Sequence, residues 1–285
     1  MSSAGPPQDK LTTVRIVRKK RRGEKIVCLT AYDYPTGLIL DAAGVDLVLV
    51  GDSAANVVYG METTLGIGME EMLYHTRAVA AGVKRALVVA DMPFLSYQVS
   101  VETAVANAGR FLQAGAEAVK LEGAGPVVPA IRRLVELGIP VMGHLGLTPQ
   151  AVHKLGGYRL QARKPEDRER LLADARELQA AGCFAVVLEK IPAEAAEPVT
   201  EELAIPTIGI GAGRHCDGQI LVLHDMLGLS GGPPLKFVKQ YARIGDEIRE
   251  AVSRYCDEVR AGEFPSEEYS FHAEGAEGPK GQGGK

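Results

Sequence analysis

Short apolar, β-branched runs alternate with helix-patterned segments along almost the whole chain, and four of those runs end in a carboxylate. They are Leu47-Val48-Leu49-Val50-Gly51-Asp52, Leu87-Val88-Val89-Ala90-Asp91, Ala118-Val119-Lys120-Leu121-Glu122 and Ala185-Val186-Val187-Leu188-Glu189. Such alternation is the mark of βαβ units and a parallel sheet. An acid at the end of a buried strand costs stability and has no packing use. In a barrel of parallel strands all these ends meet on one face, where such folds keep their chemistry. Several acids gathered there read as a divalent-metal site with a general base, so the pattern points to an enzyme.

In chain order, a leading helix over 11–22, with Thr12 or Thr13 as N-cap, precedes strand one at 26–32 and a helix at 35–43. Strands two to four are expected at 47–52, 86–91 and 118–122, with helices at 69–81 and 101–114 between them. A helix at 127–137 leads to strand five at 140–143, one at 166–181 to strand six at 185–189, and one at 193–203 to strand seven at 207–210. Strand eight is set at 220–223 and a closing helix at 244–260. Glycines at 44, 82, 115, 138 and 182 stand where helices end before the next strand. Eight strands in this rhythm predict an α/β fold, a single (β/α)8 TIM barrel with an N-terminal helix, better than an open doubly wound sheet. One domain is expected over 1–272, followed by a Gly-rich polar tail over 273–285 without apolar anchors, expected to be disordered.

The chain has 285 residues, and α/β barrels often run about 250 as one domain. A net charge of −4 gives no reason to expect a nucleic acid partner. The basic run Arg18-Lys19-Lys20-Arg21-Arg22 is read as the last turn of the leading helix, where cations suit the macrodipole and Gly23 stops the helix. No apolar stretch approaches the roughly 20 residues of a membrane span, so no membrane association is expected. No signal peptide is visible, and Cys28, Cys183, Cys216 and Cys256 form no Cys-x-x-Cys pair. Reduced thiols in a cytoplasmic protein are the expectation.

Asp52 and Asp91, with Glu122 on the next strand, suit magnesium, which takes hard oxygen ligands and usually only one or two protein carboxylates. No His-Glu-x-x-His or Cys/His cluster argues for zinc. Lys120 and Glu122, two apart, share one side of strand four; Lys120 either holds a substrate carboxylate or simply pairs with a neighbouring acid. Glu189 is the natural general base, its alternative being a salt bridge with Lys190 or a helix cap. His144, following strand five, is either a structural group or a substrate contact. Gly209-Ile210-Gly211-Ala212-Gly213 lacks the last glycine of Gly-x-Gly-x-x-Gly and is read as a backbone-lined wall of the pocket.

Six segments match a known family. Thr30-Ala31-Tyr32-Asp33-Tyr34, Val50-Gly51-Asp52-Ser53, Ala90-Asp91-Met92-Pro93-Phe94, Val119-Lys120-Leu121-Glu122-Gly123, the stretch Gly143-His144-Leu145-Gly146-Leu147-Thr148-Pro149-Gln150 and Ile208-Gly209-Ile210-Gly211-Ala212-Gly213 resemble ketopantoate hydroxymethyltransferase, also called 3-methyl-2-oxobutanoate hydroxymethyltransferase. The resemblance runs from about Thr12 to His272. It implies a barrel of the phosphoenolpyruvate/pyruvate type and the first committed step of pantothenate synthesis. In that step a hydroxymethyl group passes from 5,10-methylenetetrahydrofolate, as co-substrate, to the α-ketoacid 2-oxoisovalerate, giving ketopantoate. By resemblance, Asp52, Asp91 and Glu122 surround Mg2+, Glu122 acting through water; Ser53 with Asp52 touches the ketoacid, Lys120 binds it, and Glu189 accepts the proton. A large homo-oligomer, commonly a decamer, is implied as well.

Ala55, Ala124 and Ala162 stand where the family pattern has glycine, which bears on loop stiffness more than on chemistry. Two rival readings are another magnesium-dependent carbon–carbon lyase or aldolase on the same barrel, and a non-catalytic scaffold barrel. The first would need more cationic groups than Lys120 for extra substrate carboxylates; the second predicts no metal binding.

Overall fold

The structure, a computed structural model, describes residues 10–231 and 235–273. Helix α1 (Thr13–Arg21) has Thr12 as its N-cap, whose hydroxyl accepts from the Arg15 N–H at 3.3 Å. Its last turn carries the basic run, as expected. Lys19 and Lys20 turn inward, each 2.9 Å from an acid, Asp46 and Asp217 respectively. Ile16 of the same helix is buried among Ile26, Leu47, Leu87 and Ile208, each the first or second residue of its strand, so α1 plugs the N-terminal end of the barrel.

The first half of the barrel runs β1 (Ile26–Thr30), α2 (Tyr34–Ala42), β2 (Leu47–Val50), α3 (Ala54–Val57), α4 (Met69–Gly82), β3 (Leu87–Asp91), α5 (Val101–Gln113), β4 (Ala118–Glu122), α6 (Val128–Glu136) and β5 (Val141–Gly146). The second half runs α7 (Val152–Leu155), α8 (Pro165–Ala180), β6 (Ala185–Glu189), α9 (Ala193–Glu202), β7 (Thr207–Ile210), β8 (Gly218–Leu221), α10 (Leu223–Met226) and α11 (Ile244–Ala261). Every strand pairs in parallel with the next, and β8 closes on β1.

Alternation along each strand divides its side chains between two cores. Leu47 and Leu49, Leu87 and Val89, Ala185 and Val187 fill the barrel interior, while Val48, Val88 and Val186 pack outward under the helices. The helices answer with apolar stripes: Ala104, Ala108 and Phe111 of α5 lie on one face and are fully buried. Each large apolar side chain buried this way contributes about 1.5–3 kcal/mol. Followed toward the C-terminal end, the inward parity is taken up by Asp91, Lys120, Glu122, His144 and Glu189. Register sets Asp91 beside Lys120 and Glu122 beside His144.

Several boundaries differ from expectation. Strand β5 continues to Gly146, so His144 lies within the strand rather than after it. The glycines at 143 and 146 serve close approach. A Cβ on Gly143 would sit 2.7 Å from Leu178 Cδ1 of α8; on Gly146, at φ +89°, it would sit 2.3 Å from the Glu189 carbonyl oxygen. Strand β2 ends at Val50, leaving Asp52 in the turn beyond it. Strand β8 begins at Gly218, two residues before its expected start, because Gly218 pairs with both Ile26 and Ile208. Gly82 is the last residue of α4 rather than a stop after it, and its missing Cβ lets the Tyr34 carbonyl of α2 approach to within 2.6 Å of where that atom would lie. The four-residue helices α3, α7 and α10 were not foreseen, being too short to show a period. Of the three alanines in place of glycine, Ala162 alone has a positive φ, +52°.

Helix α11 stands apart. None of its residues is buried, and Ile248, Val252, Tyr255 and Val259 form an apolar stripe between 44 and 55% exposed. Cys28, Cys183 and Cys216 are free and buried, and burial pushes the Cys183 thiol up to about 12. Among the described residues no helix is long and apolar enough to cross a membrane. The tail expectation falls, Ala273 aside, outside the described residues.

Candidate active site

The C-terminal mouth of the barrel opens into a cavity of about 550 Å³. Its floor is polar and buried: Asp52, Asp91, Lys120, Glu122 and His144 are each 2–6% exposed. Lys120 is at the centre. Its Nζ lies 2.6 Å from Asp91 Oδ1, 3.1 Å from His144 Nδ1 and 3.9 Å from Glu122 Oε1. His144 bridges outward, with Nδ1 3.3 Å from Glu122 Oε1 and Nε2 3.2 Å from Glu189 Oε2. Ser53 also lines the cavity and exchanges a 2.8 Å hydrogen bond with the Tyr32 hydroxyl. All seven residues singled out from the sequence line this one cavity.

The acids crowd one another. Burial, then the charges of Asp91 and Glu122, push the Asp52 carboxyl up to about 8. Burial raises Asp91 too, against the pull of Lys120. Burial alone would lower Lys120, but the charges of Asp91, Glu122 and Asp52 outweigh it and hold the ammonium above its usual range. His144 is opposed by burial and by Lys120, yet its contacts with Glu122 and Glu189 raise it to about 9. Those same His144 and Lys120 neighbours hold Glu122 low in spite of burial. Four acids, Asp52, Asp91, Glu122 and Glu189, thus gather around Lys120 and His144 in a place where water screens little.

That crowding of acids, and the donor chemistry, fit a hard divalent cation. Asp91 Oδ1 and Glu122 Oε1 are buried oxygens without a hydrogen-bond donor of good geometry. Among the described residues, no three His, Cys, Asp or Glu side chains are gathered as they would be around one ion. The reason is visible in the contacts: Lys120 lies between Asp91 and Glu122, and the Gln150 side chain donates to Asp52 Oδ2 at 3.0 Å. Magnesium asks for only one or two carboxylates and fills its octahedron with water and substrate oxygens.

Sequence reasoning gave no role to Gln150, although it closes the Gly143–Gln150 segment, or to Tyr97. Both are buried beside the acids. The Gly209–Gly213 segment contributes Ile210 to the wall. A Cβ on Gly211 would lie 2.9 Å from the Phe237 ring and one on Gly213 2.5 Å from Ala193 Cβ, so these glycines admit close neighbours.

A closed parallel barrel with ionisable residues from strands β3 to β6, joined by Asp52, at its C-terminal mouth defines a (β/α)8-barrel enzyme. The chain belongs to the ketopantoate hydroxymethyltransferase family, whose sequence profile matches residues 10–267. It is 56% identical over 262 residues to the 3-methyl-2-oxobutanoate hydroxymethyltransferase of Geotalea uraniireducens (strain Rf4), covering 92% of this chain and 98% of that protein. The enzyme of the same name from Nitratidesulfovibrio vulgaris (strain DP4) is 55% identical, over 92% of this chain and 85% of its own. Among solved structures, a phosphonopyruvate hydrolase complex with oxalate and Mg++ matches with a TM-score of 0.60 at 12% identity, over 91% of this chain and 93% of its own. A 2,3-dimethylmalate lyase of the PEP mutase/isocitrate lyase superfamily matches at 0.58 and 17%, over 91% and 89%. At such identities these structures speak for the barrel alone.

Proposed function

We propose that this chain transfers a hydroxymethyl group from 5,10-methylenetetrahydrofolate to 3-methyl-2-oxobutanoate, giving 2-dehydropantoate. Family membership supports the reaction. The observation that carries it to particular residues is the buried, acid-rich floor around Lys120, which suits a small α-ketoacid held with a divalent cation. Lys120, kept cationic by its acidic neighbours, holds the substrate carboxylate as a point charge. Ser53, fixed by Tyr32, and Asp52 orient it. Asp52, Asp91 and Glu122 would hold magnesium, which when bound supplies Lewis acidity at the keto oxygen and so favours loss of the C3 proton. Glu189 takes that proton: His144 engages Oε2, leaving its other oxygen for C3. C3 then bonds to the methylene carbon of the folate as that carbon's bonds to the two folate nitrogens break; one water supplies the hydroxyl oxygen, and tetrahydrofolate leaves. The remaining cavity wall includes the apolar side chains Val57, Leu147, Val222 and Phe237.

The test is incubation of the protein with 3-methyl-2-oxobutanoate in deuterium oxide, with and without magnesium. Exchange at C3 that depends on the metal is expected, and product appears once 5,10-methylenetetrahydrofolate is added. A lyase would instead cleave its substrate, and a scaffold would do neither. Asp91→Asn is expected to weaken magnesium binding by about 10- to 100-fold in calorimetry; unchanged affinity would remove Asp91 from the metal.

The same reading includes a homo-oligomer. Its support is the stripe on α11, spaced four, three and four residues apart like the seam of a coiled coil. Val252→Glu is expected to lower the mass of the assembly in light scattering, and an unaltered mass would place the contact elsewhere.

A further inference from the structure

Gln150 is 7% exposed, sits in the short turn after β5 and is tied to three strand ends at once. Its Nε2 donates to Asp52 Oδ2 and to the Met92 carbonyl, both at 3.0 Å. Its Oε1 accepts from the Tyr97 hydroxyl at 2.8 Å and from Gln98 Nε2 at 3.1 Å. The side-chain amide therefore uses both hydrogens and both lone pairs. Its orientation is determined, because the Met92 carbonyl can only accept. The Gln150 backbone N–H donates to Glu122 Oε2 at 3.0 Å, and the Tyr97 oxygen accepts from the Glu122 N–H at 3.1 Å.

We propose that Gln150, seated by Tyr97, is a positioning residue that holds Asp52 beyond β2 and Glu122 at the end of β4 at a fixed separation across the floor of the mouth. The Asp52 backbone N–H also donates to Asp91 Oδ2 at 3.0 Å, but Gln150 is the side chain that bonds the Asp52 carboxylate itself while its backbone holds Glu122. Asp52 stands on a turn, outside the strand ladder, and Glu122 and Asp52 repel one another. A neutral amide can stand between two carboxylates, giving hydrogens to one through its side chain and to the other through its backbone, without adding charge to a site that already holds Lys120. A lysine there would compete with the cation, and a carboxylate would add to the repulsion. The proposal rests on the reading of these acids as the ketoacid and metal site.

The experiment compares the full-length protein with Gln150→Met, which keeps the length of the side chain but donates nothing, and with Tyr97→Phe. Three quantities are read: C3 deuterium exchange of 3-methyl-2-oxobutanoate with magnesium, magnesium affinity by calorimetry, and the thermal midpoint. Exchange and affinity are expected to fall by about 10- to 100-fold in Gln150→Met, as for other groups that orient metal ligands, with a smaller fall in Tyr97→Phe. Wild-type exchange and affinity in Gln150→Met would overturn the proposal while leaving the function intact. No exchange by the wild-type protein would remove the function, and the proposal with it. Should Gln150→Met fail to fold, Tyr97→Phe decides: a lowered midpoint with unchanged exchange and affinity shows a merely structural tie and overturns the proposal.

Discussion

Replacing Glu189 by glutamine is expected to lower turnover by about 10²- to 10⁴-fold while the barrel remains folded. The substitution changes neither length nor shape, and it removes the one property the step requires, an oxygen that can take the C3 proton. Glu189 ends β6 at the edge of the floor, its side chain 17% exposed, so the fold does not depend on its charge. Its contact at 3.2 Å is with His144, to which an amide oxygen can still offer an acceptor. Metal and ketoacid are therefore expected to bind Glu189→Gln nearly as before, with the loss confined to kcat and to C3 exchange. Kinetics in parallel with circular dichroism read both halves of this expectation. Turnover near the wild-type value would take the base out of β6.

Lys120→Met is expected to damage both activity and stability. Lys120 is 4% exposed and compensates Asp91 and Glu122, so its removal leaves Asp91 without its cation and Glu122 with His144 alone. Breaking a buried pair in this way costs about 3–5 kcal/mol. The cost depends on pH, and the sign follows from proton binding. Burial and mutual repulsion already raise Asp52 to about 8, and Asp91 is raised as well. Loss of Lys120 raises them further. An acid raised on folding is neutral in both states below its unfolded value, near 4; as pH climbs toward the folded value only the unfolded chain ionises, and stability is lost. The deficit of Lys120→Met in metal-free buffer should thus be larger at pH 8 than at pH 5. Urea denaturation at both values measures it, and a variant as stable as wild type at pH 8 would show that the ammonium is not what keeps the acids buried.

The alternation of apolar runs and helices was enough to read the barrel, because strands β2 to β7 are buried on both faces and announce themselves without reference to their neighbours, while β1 and β8 each leave a residue exposed. β4, β6 and β7 were placed to the residue. Boundaries slipped where glycine served packing rather than turning, as at Gly143, Gly146 and Gly218, since a single sequence does not reveal what lies opposite a missing Cβ. The short helices slipped for want of length.

The sequence by itself determined which residues carry charge at the ends of β3, β4 and β6, and period-two alternation was sufficient to send Asp91, Lys120, Glu122 and Glu189 to the same side of their strands. Only the closed barrel decided their distances. It set Lys120 against Asp91 and His144, His144 between Glu122 and Glu189, and Gln150 between Asp52 and Glu122. The contacting pairs among them lie up to 98 positions apart in the chain, and contacts of that kind arise from barrel closure and register, which no local pattern encodes.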